Sequence, residues 1–143
     1  MTWTIDWKPI TDLEDVPDKP GLYKIRIIRN GNPYPTQRIL KEDDKGVIYI
    51  GSDDYNIKAR LKNFLNALDK GKNHIAGDRL HDWREDRKIN FENSDIQYIY
   101  KTTLNHNSKD EERKELINYE SDYGQFPSLN RKLPKTSLRY GKK

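Results

Sequence analysis

Two tyrosines and an arginine have the widest chemical reach in this chain. Tyr23 lies in Pro20-Gly21-Leu22-Tyr23-Lys24-Ile25-Arg26-Ile27-Ile28, and Tyr49 lies in Val47-Ile48-Tyr49-Ile50-Gly51. Both segments are rich in β-branched and aromatic residues and carry a glycine at one end, so each reads as a strand. Tyr23, Ile25 and Ile27 share a face by the two-residue period. Arg60 sits at the edge of an apolar stripe of Ile57, Leu61, Phe64, Leu65 and Leu68, spaced as on a helix that Gly71 ends. A guanidinium there is half buried and needs an anionic partner, which no acid of its own helix is placed to supply. A free phenol, with a pKa of about 10, exchanges its proton near neutral pH only if a nearby cation lowers that value. Core aromatics and a surface arginine would use the same residue types, so the flanking glycines and the spacing carry the reading.

The composition limits what surrounds these groups. At 143 residues the chain is one domain by length, with 33% hydrophobic and 35% charged residues. Its core is therefore small, and nine tyrosines and three tryptophans supply much of the apolar bulk. With no cysteine there is no disulfide and no thiolate metal site. The first residues have neither a basic start nor a long apolar run, and no segment approaches a membrane span, so a cytoplasmic location is expected. The net charge is +4, and residues 131–143 hold Arg131, Lys132, Lys135, Arg139, Lys142 and Lys143 with no acid. Such basic runs bind polyanions by counterion release, nucleic acid being the commonest partner; a solvated, frayed tail is the alternative.

The elements that must position the tyrosines follow from the chain in order. Residues 1–19 form a lead-in segment, in which Trp3, Ile5 and Trp7 alternate as in a short edge strand. Residues 20–130 form the domain, and 131–143 the basic tail. The first strand covers Leu22 to Ile28. Turn formers then fill Arg29 to Pro35, a short extension covers Gln37 to Leu40, and a second turn spans Glu42 to Gly46. The second strand, Val47 to Ile50, breaks at Gly51, and Asp53, Asp54 or Asn56 caps the first helix. Lys70 to Gly77 is a basic loop holding His74, followed by a helix over Asp78 to Arg87 with Leu80 and Trp83 inward. A third strand covers Ile96 to Tyr100. Leu104 to Asp110 is polar loop, with Ser108 or Asp110 capping a last helix that ends near Gly124. The predicted class is α+β, in the order ββααβα.

Gly21-Leu22-Tyr23 followed by Tyr49-Ile50-Gly51, with Arg60 on the next helix, resembles the GIY-YIG nuclease domain from about Pro20 to Asn130. The resemblance implies a three-stranded antiparallel sheet flanked by helices and a metal-dependent endonuclease that hydrolyses DNA phosphodiester bonds. It implies Tyr23 as base, Tyr49 as its partner, and Arg60 as the stabiliser of growing phosphate charge. His74 follows a Lys-Gly turn, as in the homing-endonuclease branch, which suggests a general-acid or phosphate-contact role; His81 and His106 read as structural or exposed. Ser52 stands where the bacterial repair branch has lysine. The long 29–46 connection looks more like the restriction-endonuclease branch. The family's metal-binding glutamate precedes an apolar pair that Leu116-Ile117 matches, but the position three before Leu116 is Arg113. Glu112 shares a face with Leu116, Tyr119 and Tyr123 and is the expected ligand, with Glu115 the alternative. One carboxylate suits Mg²⁺ or Mn²⁺ held largely by water. Asn130 would brace the site or merely end a turn. Gly51, Ser52, Lys58, Lys72, Arg131 and Lys132 are the expected substrate contacts. A nucleic-acid-binding module with the same fold and no turnover is the alternative; the oligomeric state is not legible.

Overall fold

The computed structural model describes residues 2–104, 107–131 and 133–134, and within them the fold is α+β. The strands are β1 (Lys8–Pro9), β2 (Gly21–Arg29), β3 (Asn32–Pro33), β4 (Thr36–Gln37), β5 (Glu42–Asp43), β6 (Val47–Asp53) and β7 (Ile96–Thr102). The helices are α1 (Ile57–Lys70), α2 (Ile75–Glu85) and α3 (Ser108–Tyr123), with a short 3₁₀ turn at Asn93–Asp95. β2 runs between β6 and β7 and is antiparallel to both, while β1 extends the sheet beyond β7. β3 folds back on the end of β2, and β4 pairs with β5 in a separate two-stranded ribbon. No helix among the described residues is long and apolar enough to cross a membrane.

Alternation along the strands feeds two apolar clusters. Tyr23, Ile25 and Ile27 of β2 pack with Ile57, Leu61, Phe64 and Leu68 of α1 and with Ala76 and Leu80 of α2. Val47 and Ile50 of β6 pack instead with Leu116 and Tyr119 of α3. The sheet thus has α1 and α2 on one face and α3 on the other, the arrangement that buries both faces of a small sheet. A register shift between Ile25 and Arg26 lets both Ile48 and Tyr49 join the α1 side.

Several boundaries differ from those the sequence predicts. The N-terminal residues do more than lead in: Ile10, Leu13 and Val16 are core residues. The edge strand is Lys8–Pro9, not the Trp3–Trp7 alternation, although the Thr4 N–H does donate to the Tyr100 carbonyl (2.9 Å). β6 does not break at Gly51 but continues to Asp53. Asn56 caps α1, its side chain accepting from the Ala59 N–H at 2.9 Å. α2 starts three residues before the predicted Asp78, because His74 is its cap. Neither Ser108 nor Asp110 caps α3; both lie inside the helix, and the cap residue is Asn107.

Candidate active site

The β2–β6 register sets Tyr23 opposite Gly51 and Ile25 opposite Tyr49. The two tyrosines are therefore diagonal neighbours on one face, with ring centroids 6.0 Å apart. Gly51 makes room for them. A Cβ there would lie 2.5 Å from Tyr23 Cζ and 2.7 Å from Tyr49 Cε2, far inside contact distance. The glycine that reads in the sequence as a strand-breaking turn is a gap cut for two phenols.

His74 completes this cluster. It is 2% exposed, not part of a solvated loop, and its ring lies edge-on to Phe64 (4.9 Å) and Tyr49 (5.6 Å). Its Nδ1 accepts from the Gly77 N–H at 3.3 Å, capping α2, and its Nε2 lies 2.8 Å from the Tyr23 hydroxyl. These two contacts assign the tautomer. A capping Nδ1 is unprotonated, so neutral His74 carries its proton on Nε2 and donates it to Tyr23 Oη. Burial, reinforced by the nearby Arg60 charge, brings the His74 pKa down to about 3, so the ring is neutral near pH 7.

The tyrosines are held protonated. Burial raises Tyr23 well above the ordinary phenol value, with Tyr49 adding to the rise and Arg60 opposing it. Burial and Glu112 push Tyr49 up to about 12, again against Arg60. Arg60 does pull both phenols downward, as the sequence suggests, but desolvation outweighs it. Its charge acts on Tyr23, Tyr49, His74 and Glu112 alike, so this half-buried guanidinium is the common electrostatic neighbour of the cluster.

Glu112 and Glu115 have opposite surroundings. Glu112 is 7% exposed and accepts the hydroxyl of buried Ser52 at 2.5 Å, with Lys109 Nζ 3.9 Å away. Burial raises its pKa, opposed by Ser52, Lys109 and Arg60. Glu115 instead accepts Trp3 Nε1 (3.2 Å) and faces Lys101 (3.5 Å) and Lys24 (3.9 Å). Among the described residues no three His, Asp or Glu side chains gather as a metal cage. The donor set at Glu112 is thus one carboxylate with a hydroxyl beside it. That fits a hard cation whose other ligands are water or substrate oxygens, and it does not fit a closed site.

Asn130 braces β6. Its Oδ1 accepts the Ile50 N–H and its Nδ2 donates to the Ile50 carbonyl, both at 2.9 Å, so the side-chain amide stands in for a neighbouring strand. Lys58 reaches the Glu14 carbonyl (3.4 Å), while Lys72 and Arg131 are exposed. Lys132, His106 and residues 135–143 lie outside the described residues. Two cations were missed by sequence reasoning: Arg79, whose charge lowers Tyr49, and Lys109 beside Glu112. The signal for Lys109 was its position three residues before Glu112 on the same helix. Nothing in the sequence joined Arg79 to β6. Comparison with protein-family models, curated proteins and solved structures finds no match for this chain.

Proposed function

We propose that the chain is a metal-dependent endonuclease of the GIY-YIG type, hydrolysing DNA phosphodiester bonds. The observation that carries this reading is the meeting of Tyr23, Tyr49 and His74 from three different elements, under the charge of Arg60 and near the buried Glu112. The order of the long elements, β2, β6, α1, α2, β7 and α3, with the short β3, β4 and β5 between the first two, supports the reading.

In this reading Arg60 binds the scissile phosphate and takes up charge as it grows. Tyr23 acts as base only as the phenolate: its hydroxyl first gives up its own proton to solvent, and the oxygen then takes one proton from the attacking water. Its phenolate form is favoured by the His74 Nε2–H and by Arg60, and opposed by burial and the Glu112 charge. His74 is then a positioning residue, neutral throughout, that fixes the Tyr23 oxygen. Glu112 would hold Mg²⁺ or Mn²⁺, which when bound supplies Lewis-acid charge at the phosphate. A countercharge on that carboxylate also cancels its push on both phenols. Ser52 orients Glu112, Asn130 holds the strand, and exposed Lys72 and Arg131, with Lys58, belong to the DNA-facing surface.

One observation favours a second reading, a nucleic-acid-binding module without turnover: the nearest hydroxyl and ammonium to Glu112 are Ser52 and Lys109 of its own chain. Incubation with supercoiled plasmid separates the two. Nicking or linearisation in Mg²⁺ that chelator abolishes supports the enzyme. Binding without cleavage in either Mg²⁺ or Mn²⁺ supports the module, and absence of binding rejects both.

A further inference from the structure

A second concave feature lies beyond the tyrosine cluster. Residues Tyr34 to Arg38 form one wall of a cavity of about 390 Å³, and Ile27, Ile48, Leu80 and Trp83 contribute to the rest. That volume falls within the roughly 300–1,000 Å³ of small-molecule sites, at the end suited to one compact group. The lining combines the aromatic rings of Tyr34 and Trp83 with a few polar side chains, Gln37, Arg38 and Ser128.

The polar side of the cavity is built rather than incidental. Arg38 is 7% exposed and donates from Nε to Tyr119 Oη (3.1 Å), from one terminal nitrogen to Ser128 Oγ (3.0 Å) and from the other to the Val47 carbonyl (3.0 Å). Three of its five N–H groups are thus committed to neutral oxygens, which locks the guanidinium in place. Tyr119 in turn donates to Asp43 Oδ2. In the same wall the buried Thr36 hydroxyl has no hydrogen-bond partner.

We propose that this cavity takes a single nucleobase, held between Tyr34 and Trp83, with its polar edge met by Gln37 and Ser128. Flat aromatic walls accept any base by stacking, and a glutamine amide complements the donor–acceptor edge of adenine. The choice of a nucleobase over other planar groups rests on the nucleic-acid reading above; the cavity and its fixed arginine do not. Ile48 directly precedes Tyr49 in β6, and Leu80 belongs to the helix that His74 caps, so the cavity is built on the same strand and helix as the candidate active site. The base comes either from a nucleotide unstacked out of bound DNA or from a free mononucleotide.

The test uses the full chain and two probes. Adenosine monophosphate is titrated against tryptophan fluorescence, and a duplex with 2-aminopurine opposite an abasic position is titrated against the fluorescence of that base. Expected is saturable quenching by the mononucleotide that disappears in Trp83→Phe. Tyr34→Ala, in a protein that melts like wild type, should weaken it about tenfold or more. A saturable 2-aminopurine change lost in Tyr34→Ala identifies the base as one extruded from DNA. Mononucleotide binding with a silent duplex identifies a free nucleotide as its source. No response to either probe overturns the proposal, whether or not plasmid is cut. So does an anilinonaphthalene dye that binds the cavity and is not displaced by mononucleotide. Plasmid cleavage is scored separately, so loss of the nuclease reading leaves this result standing.

Discussion

Two glutamates three residues apart on α3 occupy contrasting regions. Around Glu115 the carboxylate is well answered: two lysines and an indole N–H converge on it, and Lys24, whose pKa burial lowers, and Lys101 also lie over the Trp3 ring at 4.4 and 5.2 Å. Around Glu112 the charges are poorly answered. The carboxylate is buried with one hydroxyl and a single lysine, Lys109, at 3.9 Å, the phenols are held protonated, and an imidazole is held neutral beside a guanidinium. The first region is what a sheet does to anchor a helix. The second gathers several groups held away from their ordinary ionisation states, and it is on this gathering that the proposed function rests.

The largest expected effect is on cleavage. Glu112→Gln should lower Mg²⁺-dependent cutting by about 10³-fold while DNA binding persists, and Glu115→Gln should cut near the wild-type rate. The opposite pair of results, read by single-turnover assay, would move the metal role to the lysine-bound carboxylate. Tyr23→Phe probes the same region from the sheet side. Cleavage should fall by about 10²–10⁴-fold, the range for a lost proton acceptor. The ring and its burial persist, so stability should drop only by the His74 hydrogen bond, about 1 kcal/mol. Wild-type cutting with an unchanged melting curve would remove the phenol from the mechanism.

The third prediction concerns acid. His74 has a folded pKa of about 3 against an ordinary 6.5, so its contribution to stability is complete above pH 6.5 and is lost as pH falls toward 3. The slope is at most about 1.4 kcal/mol per pH unit. His74→Asn keeps a capping oxygen for Gly77 and removes the titration, so its melting temperature should fall less between pH 6.5 and 4 than that of wild type. Parallel curves would show that the imidazole titrates normally. The smallest effects separate the two regions most directly. Burial raises Glu112, so any stability from its protonated form is present at low pH and lost as pH rises; at pH 7 Glu112→Gln should hold or raise the melting temperature. Glu115→Gln should lower stability by about 1 kcal/mol, because it strands two lysines. Equal destabilisation by both would erase the contrast.

The sequence revealed the face of α3 because Glu112, Leu116 and Tyr119 repeat at helical spacing, and burial of all three follows that pattern. It revealed the tyrosine pair because period-two alternation and two glycines mark β2 and β6. It misplaced His74 because a histidine is a weak and uncommon cap, and Lys70-Gly71-Lys72-Asn73 before it reads as solvated loop. It missed the Glu115 patch entirely: Trp3 and Glu115 are 112 residues apart, and no local pattern encodes that contact. The Arg38–Tyr119–Asp43 chain escaped for the same reason, since it ties a turn-rich connection to a helix roughly eighty positions later.

The way Asn130 closes β6 carries a consequence for how the chain is made. Among the described residues β6 pairs with no strand other than β2, and its outer rim is met by the Leu129 N–H at Ile48 and by the Asn130 amide at Ile50. Those groups are synthesised eighty positions after the strand they cover. Until residues 127–130 have emerged, Val47–Asp53 presents open hydrogen-bonding groups along an apolar ribbon, a template for pairing with another nascent copy. Insolubility should therefore set in sharply for chains stopped before Pro127, and Asn130→Asp, which keeps the acceptor but cannot donate, should aggregate during expression more than its modest loss of folded stability would warrant.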